Sequence, residues 1–249
     1  MMRETSIIFG YELKRMVRNP VWVIIGLLQP VLWLLLFVPL LEELNTGAPK
    51  SADLKTFVPG VLTMLAIMST LLVGYVFLGS MRDGVVERLA VTPVSRLALA
   101  LGRILADVAG LVAQSLLVVS VAYLMGFRTD PSSVLLILAL MVLLGLSVAS
   151  LSYALALNLR EEASFSSIIN FLTLPLLLLS GMLVPLSFAP GWMQAAGNAN
   201  PLHHAVEAVR ALAVDDRGAT DVVTGFLVLA GLTALTLTWA ARSYRRAVP

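Results

Sequence analysis

The chain has 249 residues, of which 59% are hydrophobic and 13% are charged, and its mean hydropathy is +0.91. A composition this apolar excludes a soluble globular domain, a disordered chain and a coiled coil, because each of these needs more polar surface. The net charge of +2 is spread over short clusters between apolar runs, so we expect no nucleic-acid partner. The absence of cysteine excludes disulfides and thiolate metal ligands. We therefore predict an integral membrane protein.

Residues 4–18 precede the first apolar run and have the periodicity of an amphipathic helix. One side carries Phe9, Leu13, Met16 and Val17, and the other carries Glu4, Lys14, Arg15 and Arg18. Asn19 and Pro20 end this helix, because proline lacks the backbone donor that a helix interior needs. We predict that it lies along the cytoplasmic membrane interface in contact with lipids. The alternative is a plain positively charged flank.

Six runs are long and apolar enough to cross a bilayer, which takes roughly 20 residues of α-helix. They cover residues 21–41, 57–80, 104–126, 134–158, 165–187 and 222–241. The first run is too long for the core of a cleavable signal peptide, so we expect it to remain in the protein. We predict one all-α transmembrane domain, residues 1–249, with six spans.

Lysine and arginine are shared unequally between the two sets of loops. Twelve lie in the N-terminus, the second and fourth loops and the C-terminus, and five lie in the other loops. Because cytoplasmic loops are the richer in basic residues, we predict that both termini are cytoplasmic. This orientation agrees with an even number of spans, and the expected location is the plasma membrane of a bacterium.

The second loop, residues 81–103, contains two breaks, at Gly84 and at Thr92-Pro93. The residue before a proline is disfavoured in a helix, so a short helix is predicted to end there. A second helix can begin near Pro93, with Thr92 or Ser95 as its cap. The pattern predicts a compact cytoplasmic knob for a soluble partner, and the alternative is an ordinary solvated connection.

The chain has no G-x-x-x-x-G-K-[ST] phosphate-binding loop, so it does not hydrolyse ATP by itself. A gradient-driven carrier usually has ionisable residues deep in its spans. Only Asp107 approaches such a position, and because it follows Arg103 by four residues we expect a local ion pair. An intramembrane enzyme needs a catalytic or metal site, but His203 and His204 point about 100° apart on a helix. We expect no catalytic residue and no metal.

Residues 188–221 are too polar to span and are predicted to lie outside the cytoplasm as short re-entrant helices before the last span. Pro190 and Trp192 suit a short helix in the outer interface, where indole rings prefer to lie. Glu207 and Arg210 are three residues apart, so they can pair on one face of a helix.

Two motifs resemble ABC transporter permeases of the type-2 exporter class, typified by daunorubicin-resistance and polysaccharide-export permeases. The first motif comprises Gly84, Glu87, Leu89 and the run Val91-Thr92-Pro93-Val94-Ser95. The second comprises Ser180-Gly181, Pro185, Pro190, Trp192, Asn200-Pro201, Glu207 and Arg210. Val85 and Val86 replace the family's usual Thr-Leu pair, and His204 replaces a common aromatic residue. The six spans and both motifs occur in the family's order, so the resemblance covers essentially the whole chain.

The resemblance implies a complex of two permease subunits, identical or different, with two cytoplasmic ABC ATPase subunits. ATP and Mg²⁺ would bind to those ATPase subunits, and no cofactor to this chain. The implied coupling residues are Gly84, Glu87, Arg88, Leu89, Thr92, Pro93, Val94, Ser95 and Arg96, with a lesser contact at Arg160 and Glu161.

In the family the second and fifth spans line the pathway. The corresponding residues are Thr63, Met64, Met68, Tyr75, Asn170, Thr173 and Ser180, for which helix packing is the alternative. The implied extracellular gate comprises Pro185, Trp192, Asn200, Pro201, Glu207 and Arg210. The expected cargo is a hydrophobic or amphipathic small molecule such as a drug or antibiotic, and the runner-up is a lipid-linked glycan, a lipid or a peptide. Outside this class, a gradient-driven carrier and an intramembrane enzyme remain open.

Overall fold

The computed structural model describes residues 2–44, 50–84, 95–182, 186 and 189–247, and every regular element in these ranges is helical. The all-α prediction is confirmed for this part of the chain. The helices are α1 Met2–Val17, α2 Pro20–Leu44, α3 Lys50–Leu71, α4 Val73–Arg82, α5 Arg96–Leu124, α6 Pro131–Leu159, α7 Glu162–Leu178, α8 Gly191–Asn198, α9 Pro201–Ala213 and α10 Thr220–Ala247.

Within the described ranges, four helical stretches are long and apolar enough to cross a membrane. They are Leu54–Arg82, Leu97–Leu124, Pro131–Leu159 and Thr220–Tyr244, and they match the second, third, fourth and sixth predicted spans. The first predicted span corresponds to a shorter apolar stretch, Ile24–Leu36, which lies within α2. The fifth corresponds to the shorter apolar helix Glu162–Leu178, which is α7. The chain is therefore a multi-pass membrane protein.

The fifth span was predicted to reach residue 187, but α7 ends at Leu178, so this boundary was wrong. Pro175 lies in the last turn, where the N–H of Leu179 donates to its carbonyl at 2.9 Å. The chain then reverses at Gly181, whose φ of 73° is rarely adopted by residues with a side chain.

Helix α6 occupies the middle of the bundle and packs against α3, α4, α5, α9 and α10. Gly145 provides room for α5, because a Cβ there would lie 2.7 Å from Leu111 Cδ2. Hydroxyl groups join α6 to α10, with Ser147 Oγ 2.6 Å from Thr233 Oγ1. Small residues and interhelical hydrogen bonds are how helices pack within lipid, where the hydrophobic effect does not favour association.

The second span is broken at Leu72, and α6 bridges the break. The Ser152 hydroxyl donates to the Leu71 carbonyl at 2.6 Å and accepts from the Gly74 N–H at 2.9 Å. The N–H of Tyr75 donates to Leu72, three residues back, at 3.0 Å. A Cβ at Gly74 would lie 2.6 Å from Ser152 Oγ, so glycine permits this approach. The predicted continuous span, residues 57–80, is therefore two helices.

Helix α1 packs along α5, so the predicted helix at the N-terminus is confirmed. Its buried residues are Ile8 and Glu12, which belong to neither predicted side. Val17, assigned to the apolar side, is 68% exposed. Close packing at Gly102, where a Cβ would lie 2.7 Å from Ile8 Cβ, brings the two helices together.

Candidate functional site

The connection between α4 and α5, residues 83–95, contains most of the predicted coupling residues, and we call it the coupling segment. Residues 85–94 lie outside the described residues. The predicted roles of Glu87, Arg88, Leu89, Thr92, Pro93 and Val94 therefore stay predictions. The structure describes both ends of the segment, and each end is attached to a different helix.

The first end follows α4 and is attached to α7. Gly84 has a φ of 70°, and its N–H donates to the Met81 carbonyl at 3.0 Å, so the chain turns away from the helix axis here. Arg82 Nη1 lies 3.4 Å from Glu162 Oε1 in the first turn of α7. The carboxylate also suits the positive end of that helix dipole.

The second end precedes α5 and is attached to α1. Ser95 is the N-cap, because its hydroxyl accepts from the Ala98 N–H at 3.2 Å, which confirms one of the two predicted caps. The helix begins at Arg96, directly after this cap and three residues beyond Pro93. The backbone N–H of Ser95 donates to Glu4 Oε2 at 3.0 Å, and this bond lowers the pKa of Glu4.

The predicted lesser contact, Arg160 and Glu161, forms the turn between α6 and α7. Arg160 is the left-handed C-cap of α6, with a φ of 54°, and its N–H donates to the Ala156 carbonyl at 2.9 Å. Glu161 Oε2 accepts from the Ser164 hydroxyl at 2.5 Å. Because Glu162 follows directly and pairs with Arg82, the structure brings this turn beside the first end of the coupling segment.

A buried charged pair lies near the same end of the bundle. Arg103 Nε donates to Glu12 Oε1 at 3.0 Å, which joins α5 to α1. The predicted Arg103–Asp107 ion pair was wrong, since among the described residues Asp107 instead accepts from the Tyr153 hydroxyl at 2.7 Å. The sequence did contain a signal for a buried ion pair, because Arg103 lies about one turn inside an apolar run and an arginine there needs a carboxylate partner.

Four of the six predicted gate residues lie on α9 or at its start, at the opposite end of the bundle. Arg210 donates to Glu207 Oε1 at 2.5 Å and to the Gly181 carbonyl at 2.6 Å, which confirms the predicted pairing. Asn200 caps α9 through the Leu202 N–H at 3.0 Å, with Pro201 in the first turn. The other gate residues are Trp192, which is 72% exposed, and Pro185, which lies outside the described residues.

Each histidine beside the gate faces a backbone carbonyl. His203 Nδ1 lies 3.2 Å from the Ser180 oxygen, and His204 Nε2 lies 2.9 Å from the Asn198 oxygen. The two rings thus contact the turn that follows α7 and the last residue of α8.

A third connection at this end joins the loop before α6 to the loop before α10. Asp215 Oδ1 accepts from the Thr129 hydroxyl and from the Asp130 N–H, each at 2.8 Å. Burial by itself would raise the pKa of Asp215, but these hydrogen bonds outweigh it and hold the pKa below its usual range. Arg217 also pairs with Asp130.

The predicted pathway residues divide between the interior and the surface of the chain. Thr63 and Ser180 are buried, and their hydroxyls donate to Pro59 and Leu177. Thr173 donates likewise to Ile169 within α7. Met64, Met68 and Thr173 are partly buried, whereas Tyr75 and Asn170 are exposed. Their assignment to the transport pathway stays a prediction.

The sequence comparisons agree with this architecture. The family model of the ABC-2 type transporter matches residues 3–214. The chain belongs to this family. Among ABC-2 relatives, the daunorubicin resistance ABC transporter permease protein DrrB1 of Streptomyces coeruleorubidus is 32% identical over 228 residues, covering 91% of this chain and 80% of that protein. A Mycobacterium tuberculosis protein named "Probable doxorubicin resistance ABC transporter permease protein DrrC" is 24% identical over 237 residues, covering 94% and 86%.

Membership of the ABC-2 family and the apolar helices together define the chain as the membrane permease subunit of an ABC transporter, a type-2 exporter. Such a permease works with an ABC ATPase subunit. The predicted family is thereby confirmed.

Proposed function

We propose that this permease exports a hydrophobic or amphipathic small molecule, with drug or antibiotic efflux as the leading case. The names of its relatives, which refer to daunorubicin and doxorubicin resistance, support this class of cargo. Partly buried Met64 and Met68 on α3 agree with it, because flexible thioether side chains accommodate varied apolar ligands. A lipid-linked glycan, a lipid or a peptide is the second candidate within the class.

The proposed complex contains two permease copies, identical or different, and two ATPase subunits that bind ATP and Mg²⁺. Each permease crosses the bacterial plasma membrane six times, with both termini in the cytoplasm and α1 along the lipid interface. The distribution of basic residues between the loops supports this orientation. The coupling segment and the Arg160–Glu161 turn then face the cytoplasm together.

The observation that carries the coupling proposal is the attachment of both ends of the coupling segment. Its first end is joined to α7 through Arg82 and Glu162, and its second end to α1 through Ser95 and Glu4. When the ATPase subunits close on ATP, a displacement of residues 83–95 reaches four helices, α1, α4, α5 and α7. A segment fixed at both ends transmits such a displacement, whereas a loose loop would absorb it.

At the other end of the bundle, Arg210 and Glu207 are proposed to hold the extracellular gate closed. Arg210 connects α9 to the Gly181 turn that follows α7. Movement of α7 would therefore strain this contact, which gives a physical route from the coupling segment to the gate.

Affinity purification of the tagged chain in mild detergent tests the permease complex. We expect a stoichiometric companion that has the phosphate-binding loop and whose ATP hydrolysis rises with the transported compound. A homogeneous chain without ATPase, under conditions that preserve known complexes, would refute the proposal. The gradient-driven carrier and the intramembrane enzyme would then be tested, by collapsing the ion gradient and by measuring turnover without a partner.

Charge reversal tests the coupling segment. We expect Glu87→Arg to weaken association with the ATPase subunit or to abolish transport-stimulated hydrolysis, because it reverses a charge on the docking surface. Asp216→Arg is the matched control, since this exposed carboxylate lies at the opposite end of the bundle. Normal association and normal stimulation in Glu87→Arg would remove the basis for its assignment.

A further inference from the structure

Glu12 and Arg103 form a buried ion pair between α1 and α5. The side chain of Arg103 is 6% exposed and that of Glu12 is 10% exposed, with 3.0 Å between Nε and Oε1. Removing two charges from water costs more than an ordinary ion pair returns, so a buried pair is weak evidence for stability alone. Its presence here calls for a role other than stability.

Arg103 also contacts α4. Its Nη1 lies 3.5 Å from Ser80 Oγ, and its guanidinium carbon lies 5.1 Å from the centre of the Phe77 ring. Ser80 and Phe77 belong to the last two turns of α4, directly before Arg82 and the coupling segment. One guanidinium therefore joins α1, α4 and α5, and the last two of these helices flank the coupling segment.

Apolar packing would suffice if the three helices needed only to adhere. Ile8 already packs against Gly102 between α1 and α5, one residue from Arg103. Directional charged contacts, unlike apolar packing, select one arrangement of the helices.

We infer that Glu12 and Arg103 are positioning residues that make α1 and the ends of α4 and α5 move as one unit with the coupling segment. The inference rests on the proposed function, because it concerns how a displacement by the ATPase enters the permease. Without the pair, α1 stays attached through Ile8 and through Glu4, but its position relative to α4 is no longer unique.

The test uses the complex with its ATPase subunit and the double variant Glu12→Gln/Arg103→Met. This variant removes both charges and keeps similar volumes, so no buried charge is left without its partner. Arg15, which lies 3.2 Å from the other carboxylate oxygen of Glu12, loses that contact, but its side chain is 44% exposed and stays hydrated. We expect assembly, melting temperature and basal ATP hydrolysis near wild type, with transport per ATP reduced about tenfold, a typical coupling between sites. The control variant Asp130→Asn/Arg217→Gln removes the exposed ion pair at the opposite end and should retain transport per ATP.

A second measurement reports position directly. Because the chain has no cysteine, spin labels can be attached at Ile7→Cys on α1 and Val76→Cys on α4, whose native side chains are 63% and 40% exposed. We expect a narrow distance distribution in the labelled parent and a broad one in the charge-free double variant. In the complex, ATP should leave the parent distance unchanged, because α1 and α4 move together, and it should shift the variant distance, because the two helices then move separately.

Unchanged transport per ATP together with an unchanged distance distribution in the double variant would overturn the inference. An unchanged melting temperature together with reduced transport per ATP would support the inference. A purely structural pair would instead lower the melting temperature and leave transport per ATP unchanged. If the wild-type chain binds no ATPase, the proposed function fails instead. The distance measurement on the isolated chain still tests the ion pair in that event.

Discussion

Replacing Ser152 by alanine removes the hydroxyl that bridges the break in the second span. In the native chain this hydroxyl satisfies the Leu71 carbonyl and the Gly74 N–H at the same time. Tyr75 and Val76 both donate to Leu72, so neither of their N–H groups is available to Leu71. The variant therefore leaves one backbone acceptor and one backbone donor buried at the junction of α3, α4 and α6.

Each buried polar group left without a partner costs about 1–3 kcal/mol. Hydrogen bonds between membrane helices average only about 0.6 kcal/mol, because the freed groups usually find other partners. Here the two groups are backbone atoms with fixed positions beside Gly74, so the larger figure applies. We expect Ser152→Ala to lower the free energy of unfolding by about 2–6 kcal/mol, the sum for the two groups.

Ser150→Ala is the matched control on the same helix. Ser150 is as fully buried as Ser152, but its hydroxyl has no hydrogen-bond partner in the described part of the chain. Its removal should change the free energy of unfolding by less than about 0.5 kcal/mol or be stabilising. Reversible unfolding of both variants in mixed detergent micelles measures the difference. Equal destabilisation would refute the reasoning, because helix packing and not the bridge would then govern both sites.

Two further predictions concern the end of the bundle opposite the coupling segment. Gly60→Ala should lower the melting temperature in detergent, because the new Cβ would lie 2.4 Å from the Met182 carbonyl oxygen. Gly10→Ala, in open space on α1, should instead raise or maintain it. The pKa of Asp215 is lower in the folded chain than in the unfolded chain, so its ionised carboxylate stabilises the fold. This stabilisation is complete above the unfolded pKa of about 3.9 and is lost as the pH falls through the folded pKa. Below a pH of about 4, the melting temperature of Asp215→Asn should therefore depend less on pH than that of the wild type. An equal slope in the two proteins would contradict this prediction.

Local signals in the sequence predicted much of the fold. Ser95 was predicted as one of two possible caps, and the structure places its hydroxyl on the Ala98 N–H. Glu207 and Arg210 pair because a spacing of three residues brings them to one face of a helix. Hydropathy found the four helical stretches that are long and apolar enough to cross a bilayer, since the length required to cross a bilayer is itself a local property.

Contacts between distant segments were the part that the sequence did not reveal. Arg103 was assigned to the nearby Asp107, yet its partner Glu12 is 91 residues away on another helix. The break at Leu72 depends on Ser152, 81 residues from Leu71, and no proline or glycine occupies residue 72 to mark it. Spacing along one helix identifies neighbours on that helix, whereas these contacts depend on which helices pack together.

The attachments of the coupling segment define what has to be exchanged when two such permeases are recombined. A chimera that receives only residues 83–95 from a relative keeps the recipient's Glu4 and Glu162. Glu4 must then bind the backbone N–H of the foreign residue 95, and the Arg82–Glu162 pair must fit a foreign turn after Arg82. The smallest transferable module is therefore discontinuous, and it includes the first turn of α1 and the first turn of α7. Libraries designed to redirect a permease to a new ATPase should vary these three places together.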